Sequence, residues 1–177
     1  NPPSLTEIKE ARQCSGLAGD EIDRILIALL AQKRGGGAAD ENSRFLRTMQ
    51  LYARDVKRQF FAQGHVTVKD GWRTVSIRAA DLTSDPRFQR FTQALGQTFA
   101  GSLAAVANRA RAVRANMVDI VLAGGGANLP FLPHLVRAAA QSAAPGLPMR
   151  AAPLSPASTL YGGVDDYFAD VFPQIAI

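Results

Sequence analysis

Apolar residues recur at three- and four-residue steps along most of this chain, a spacing that predicts a largely helical molecule. Between Asp20 and Gln32 the stripe is Ile22, Ile25, Leu26, Leu29 and Leu30, one face of an amphipathic helix. Gly35, Gly36 and Gly37 stop it, and the stretch to Asp40 reads as a flexible connection. A second helix is expected from Glu41 to Gln63, with Phe45, Met49, Tyr52, Val56 and Phe60 on its apolar face. Lys57 and Arg58 lie beside that stripe.

At His65 the period changes. His65 to Val68 and Trp72 to Ile77 read as two strands joined by the turn Lys69-Asp70-Gly71, where Asp-Gly favours a tight reversal. Helical spacing then returns, with Asp85 as N-cap and Pro86 in the first turn. Phe88, Phe91, Leu95, Phe99, Leu103 and Val106 continue one face. Beyond Asn116 an apolar run, Val118 to Leu122, predicts a buried strand that leads into Gly124, Gly125 and Gly126. An apolar helix-like segment, Leu129 to Ala140, follows. A short strand near Leu147 to Ala151 and a last helix from Ser158 to Ala169 complete the pattern.

This order predicts an α/β fold in which a helix–hairpin–helix middle is inserted between segments that share a sheet. Residues 1–33 and 115–177 would form the sheet subdomain, and residues 34–114 the insertion subdomain. The strand–glycine–helix passage at 118–140 is the segment richest in functional information. Such a turn brings bare backbone N–H groups up to a ligand, and a Cβ there would block both positive φ and close approach.

Composition narrows the classes. The chain has 177 residues, 47% of them hydrophobic, enough for a real core in one large domain or two small ones. Its single cysteine, Cys14, excludes a disulfide framework and a cysteine-based zinc site, and fits a reducing compartment. We expect neither a membrane span nor a signal peptide, and therefore a cytoplasmic location. The first residues, Asn-Pro-Pro, suggest an excised piece of a longer protein. The net charge of +5 raises nucleic-acid binding, but the basic residues mix with acids and no aromatic residues interleave with them as a stacking platform requires.

Motifs for catalysis are few. There is no GxxxxGK[ST] phosphate loop, no HExxH and no GxSxG. His65 and His134 are isolated and read as structural or surface residues. Asp119, inside the apolar strand, either caps a neighbouring backbone group or faces a cleft, and the structural reading is favoured. Asp165 and Asp166 are adjacent, so on a helix they point in different directions and read as exposed acids rather than a metal site. Lys57 and Arg58 have more to offer. A guanidinium plane can stack on a purine, and a lysine can donate to ribose or ring acceptors.

Four segments carry a family resemblance. DIVLAGGGANLP followed by an apolar helix is similar to the adenosine-binding motif D-I-V-L-V-G-G-S-T-R-I-P of the Hsp70-type ATPase domain, within the actin/Hsp70/sugar-kinase superfamily. ARDVKRQF resembles that family's helix ending A-K-R-x-L-S. LAGDEIDRIL resembles L-G-G-E-D-F-D, and SPASTLYGGV resembles P-D-E-A-V-A-Y-G-A-A. They stand in the family's order from Leu17 to Val164 and imply part of the second ATPase lobe. The resemblance implies that Gly124, Gly125 and Gly126 lie under an adenosine, with Lys57 and Arg58 as contacts from the helix.

Departures from the family pattern are specific. Arg54 stands in place of an acid, Phe61 of a serine, Asn128 of a stacking arginine and Pro156 of an acid. The family's phosphate-binding hairpins, catalytic lysine and carboxylates have no counterpart in this sequence. The resemblance therefore implies ATP or ADP with Mg²⁺ in an intact parent, no tight cofactor binding by this chain, and no catalytic or metal-ligating residue of its own. The implied partners are the parent's first lobe and co-chaperones or exchange factors on the insertion subdomain. Three glycines also suit an actin-like cytoskeletal ATPase. The substituted contacts suit a non-catalytic interaction module with a degenerate pocket.

Overall fold

The computed structural model describes residues 7–13, 19–35, 39–122, 127 and 129–153. The chain is mixed α/β, mostly helical, with two small sheets of two strands each among the described residues. It does not show an actin-like ATPase lobe. The expected last helix, Ser158 to Ala169, lies outside the described residues, as do Cys14, Pro156, Asp165 and Asp166. The chain forms two compact units, Leu17–Thr92 and Asn1–Gly16 with Gln93–Ile177. Within the 17–92 unit the first helix packs with the hairpin that follows it.

In the 17–92 unit, helix α1 spans Gly19–Arg34. Asp20 and Glu21 in its first turn and Lys33 and Arg34 in its last complement the helix dipole. Ile22, Ile25, Leu26, Leu29 and Leu30 are all buried, as their spacing predicts. Gly35, at φ +74, ends the helix in the left-handed conformation that only glycine adopts without strain.

The expected second helix is divided into α2 (Ala39–Leu51) and α3 (Ala53–Gln63). The break falls at Tyr52, which leaves the helical region at φ −101 and ψ 13. Phe45, Met49, Val56 and Phe60 are buried, whereas Tyr52 is 56% exposed despite matching the stripe. The break lets both halves bury their apolar residues while Tyr52 turns outward.

Strands β1 (His65–Asp70) and β2 (Arg73–Arg78) pair antiparallel, from His65↔Arg78 to Asp70↔Arg73. The turn is therefore Gly71-Trp72, one residue beyond the expected position, and Asp70 belongs to the strand. Gly71 has φ +61, the conformation a two-residue hairpin takes at its first turn position. Val66, Val75 and Ile77 form the buried face of the hairpin. Helix α1 packs on β2 and on α3. Each fully buried Ile or Leu there contributes on the order of 1.5–3 kcal/mol.

A short helix, α4 (Ala79–Thr83), follows β2; its five residues hold barely one turn, too few to show a helical period. Asp81 Oδ2 accepts from the Arg78 N–H at 2.8 Å, and Asp81 also receives Lys33 Nζ at 2.8 Å. Helix α5 (Pro86–Ala112) begins as the sequence predicts. Asp85 Oδ1 accepts from the Arg87 N–H at 2.8 Å, which satisfies an orphan donor of the first turn. Phe88, Phe91, Leu95, Phe99, Leu103 and Val106 are all buried.

The second unit contains α5 from Gln93 onward, a 3₁₀ turn at Lys9–Ala11, and a strand–helix–strand segment. Strand β3 (Val118–Leu122) pairs parallel with β4 (Met149–Pro153), from Val118↔Met149 to Leu122↔Pro153. Helix α6 (Leu132–Ala143) makes the crossover and packs on β4 through a face that includes Leu132, Val136 and Ala140. Parallel pairing requires such a crossover, since a short turn joins only antiparallel strands. A Cβ at Gly96 would lie 3.2 Å from Leu135 Cδ1, so the lack of a side chain lets α5 and α6 approach closely.

The Asp85 carboxylate is held below its ordinary value of 3.8, chiefly by its hydrogen bonds from Arg87. The Arg87 side chain reaches it at 2.9 Å through Nε and 2.6 Å through Nη2. A depressed native pKa means that the ionised form stabilises the fold above the unfolded value. That contribution is lost as the pH falls through the native value. Asp85→Asn keeps a capping oxygen but removes the charge. It is expected to cost about 1 kcal/mol near neutral pH. In urea unfolding, the gap from the native protein should narrow as the pH falls below 3.8.

Candidate functional site

The six residues expected at an adenosine site are Lys57, Arg58, Gly124, Gly125, Gly126 and Asn128. The structure places the first two on α3, inside the 17–92 unit. The three glycines and Asn128 lie outside the described residues. Strand β3 ends at Leu122, just before them, and Ala127 between Gly126 and Asn128 is buried. The structure thus describes the strand that enters the glycine segment and the helix that leaves it.

Lys57 and Arg58 are adjacent but have different surroundings. Lys57 Nζ donates to Asp23 Oδ2 at 2.9 Å and to the Gly19 carbonyl at 3.1 Å. Both partners belong to the first turns of α1, so the ammonium pins the start of α1 to the middle of α3. The pair is largely withdrawn from water, with side-chain exposures of 22% for Lys57 and 10% for Asp23. Asp23 Oδ1 is buried and has no hydrogen-bond partner among the described residues. The second carboxylate oxygen thus makes the Lys57 contact more valuable, because losing it strands a buried charge.

Arg58 stands in solvent. Its side chain is 80% exposed, and its nearest acid, Asp55, lies one turn back at 3.5 Å. An exposed i,i+3 pair of this kind contributes little to stability. The guanidinium plane is consequently accessible to an incoming flat ring. Arg54 is also exposed on α3. Phe61 is half-buried and meets buried Phe60 edge to face, with centroids 5.4 Å apart. Phe61 therefore extends the apolar packing of α3 at a position where a hydroxyl would have given a hydrogen-bonding group.

The remaining sequence candidates have structural surroundings. His65 is exposed at the start of β1, with Nδ1 at 3.2 Å from the Gln63 carbonyl. His134 is exposed on α6. Asp119 accepts from Arg150 Nε at 2.8 Å, across the Asp119↔Arg150 pair of the parallel strands. Among the described residues no three His, Cys, Asp or Glu side chains cluster as a metal would require. No described helix is long and apolar enough to cross a membrane.

Apolar spacing by itself does not single out Asp23. Its signal is present in the sequence: it shares a helical face with Ile27 and Leu30, at i+4 and i+7, and so had to be buried. A carboxylate on an apolar face calls for a cation, and only the tertiary fold supplies Lys57. No protein-family model, no curated protein and no solved structure matches this chain.

The unequal settings of the two basic residues predict unequal losses. Lys57→Met should destabilise the protein by about 3 kcal/mol in urea unfolding, since it leaves the Asp23 carboxylate buried alone. Adding Asp23→Asn should restore part of that loss in a double-mutant cycle. Arg58→Ala should change stability by no more than about 0.5 kcal/mol.

Proposed function

We propose that this chain supplies the adenosine-binding side of an ATP/ADP cleft in an Hsp70-like chaperone ATPase, as part of a longer protein. The observation that carries the reading is the exposed Arg58 on a helix that Lys57 anchors from the neighbouring position. A stacking guanidinium needs a fixed base and an accessible plane, and α3 offers both. The order of elements supports the same reading. A helix pair and a hairpin lead into a long helix, and a strand then enters three glycines before an apolar helix.

In this reading the residues divide the work. Lys57 positions α3 through Asp23 and the Gly19 carbonyl, and Arg58 covers one face of the base. The family resemblance also assigns Gly124, Gly125, Gly126 and Asn128 to the nucleoside. Phosphate and Mg²⁺ are assigned to the parent's other lobe, together with the groups that stabilise charge in phosphoryl transfer. The whole protein would then couple nucleotide-dependent closure to a chaperone or regulatory output.

A second reading has one specific observation behind it. Phe61 puts an aromatic ring on Phe60 where a polar adenine contact would serve a nucleotide, which suits an interaction module that keeps a degenerate pocket only for its shape. Calorimetry separates the two. Mg·ATP and Mg·ADP should bind the intact protein, and Arg58→Ala should weaken binding at least about tenfold, or 1.4 kcal/mol. The isolated chain should bind weakly or not at all and should not hydrolyse ATP. Unchanged affinity in the Arg58 variant supports the module, and Mg²⁺-dependent hydrolysis by the isolated chain refutes the proposal.

A further inference from the structure

The hairpin tip of the 17–92 unit stands apart from the residues discussed so far. Trp72, the chain's single tryptophan, occupies the second turn position and is 87% exposed. The Arg73 guanidinium carbon lies 4.9 Å from the centre of its ring. Exposed tryptophan is uncommon on a surface with no task, and Trp and Arg together dominate the energetics of protein interfaces.

The tip is held firmly. Arg34, at the end of α1, reaches Asp70 Oδ2 through Nε at 2.5 Å and bonds Asn42 Oδ1 of α2 through Nη1. Its side chain is only 4% exposed, and its guanidinium carbon lies 5.5 Å from the centre of the Phe45 ring. One arginine thereby joins the end of α1, the start of α2 and the last pair of the hairpin. A platform fixed in this way loses little entropy when something binds to it.

Between α2 and the tip lies a cavity of about 570 Å³. Phe45, Met49 and Trp72 contribute apolar surface, and Arg44 and Lys69 are exposed at its margin. Counting Arg34 and Arg73, the described lining residues carry four cations and one carboxylate, that of Asp70. Asp70 is already engaged by Arg34. Among the described residues the lining thus mixes apolar side chains with an excess of positive charge.

We propose that this cavity is a docking site for an acidic peptide segment of a partner protein, one that carries an apolar or aromatic anchor between its carboxylates. The anchor fills the space between Trp72 and the α2 residues Phe45 and Met49. The flanking carboxylates meet the exposed Arg44 and Lys69, where a guanidinium favours carboxylate geometry. A single-stranded nucleic acid is the poorer fit, since it needs successive aromatic platforms and the cavity offers one exposed ring. The site is independent of the adenosine reading, because none of its residues is Lys57, Arg58 or part of the glycine segment.

The single tryptophan makes the test direct. The full chain is titrated with a panel of fluorescently labelled peptides, each roughly ten residues of Asp and Glu around a central Leu, Phe or Trp. Binding is read by peptide anisotropy, and for the Leu and Phe peptides also by Trp72 emission. Saturable binding is expected, with a blue shift of that emission and at least about a tenfold loss when NaCl rises from about 0.05 to 0.5 M. Trp72→Ala and the pair Arg44→Glu, Lys69→Glu should each weaken binding at least tenfold while circular dichroism and Tm stay unchanged. Failure of every peptide to bind overturns the proposal, as does equal binding by these variants. Tighter binding of a poly-dT oligonucleotide or of phosphatidylserine vesicles, competing with the peptides, also overturns it.

Discussion

Helix α1 buries Ile22, Ile25, Leu26, Leu29 and Leu30 against strand β2 and helix α3, and the 17–92 unit is organised around that contact. The helix is fixed at both ends by charge. At its start, Asp23 and the Gly19 carbonyl receive Lys57 from α3. At its end, Lys33 reaches Asp81 of α4 and Arg34 reaches Asp70 of the hairpin. Apolar burial supplies a driving force without direction, whereas the ion pairs join named positions of α1 to named positions of α3, α4 and the hairpin.

That arrangement explains why two adjacent basic residues differ so sharply. Lys57 faces α1 and belongs to the fold, while Arg58, one step around the helix, faces water. A 100° rotation per residue points neighbours on a helix in different directions. The pair that looks like one binding feature in the sequence is an anchor followed by an accessible guanidinium. The same logic operates at the hairpin. Asp70 is consumed by Arg34 inside the structure, and Trp72 and Lys69 are left outside.

The second unit has a simpler basis. Strands β3 and β4 run parallel, so a crossover must join them, and α6 provides it while covering β4. Asp119 in β3 is neutralised by Arg150 directly across the ladder. An acid that interrupts an apolar strand is thereby accounted for by its cross-strand neighbour.

Much of the fold was legible in the residue pattern. The stripe of α1, the hairpin, the Asp85-Pro86 start of α5 and its apolar face follow from spacing and from local chemistry that needs no distant partner. The break at Tyr52 was not legible, because residues 45–60 keep a helical period straight through it and only packing turns Tyr52 outward. The turn shifted by one residue because Asp70 is drawn into the ladder opposite Arg73 by a partner, Arg34, 36 positions away. Of the candidate site, the sequence alone determined which residue types were available: a Lys-Arg pair on a helix and three glycines after a strand. Tertiary structure alone decided that Lys57 is held by Asp23, that Arg58 stays exposed, and that Trp72 overlooks a basic cavity. Those outcomes depend on contacts between residues far apart in the chain, which local periodicity does not encode.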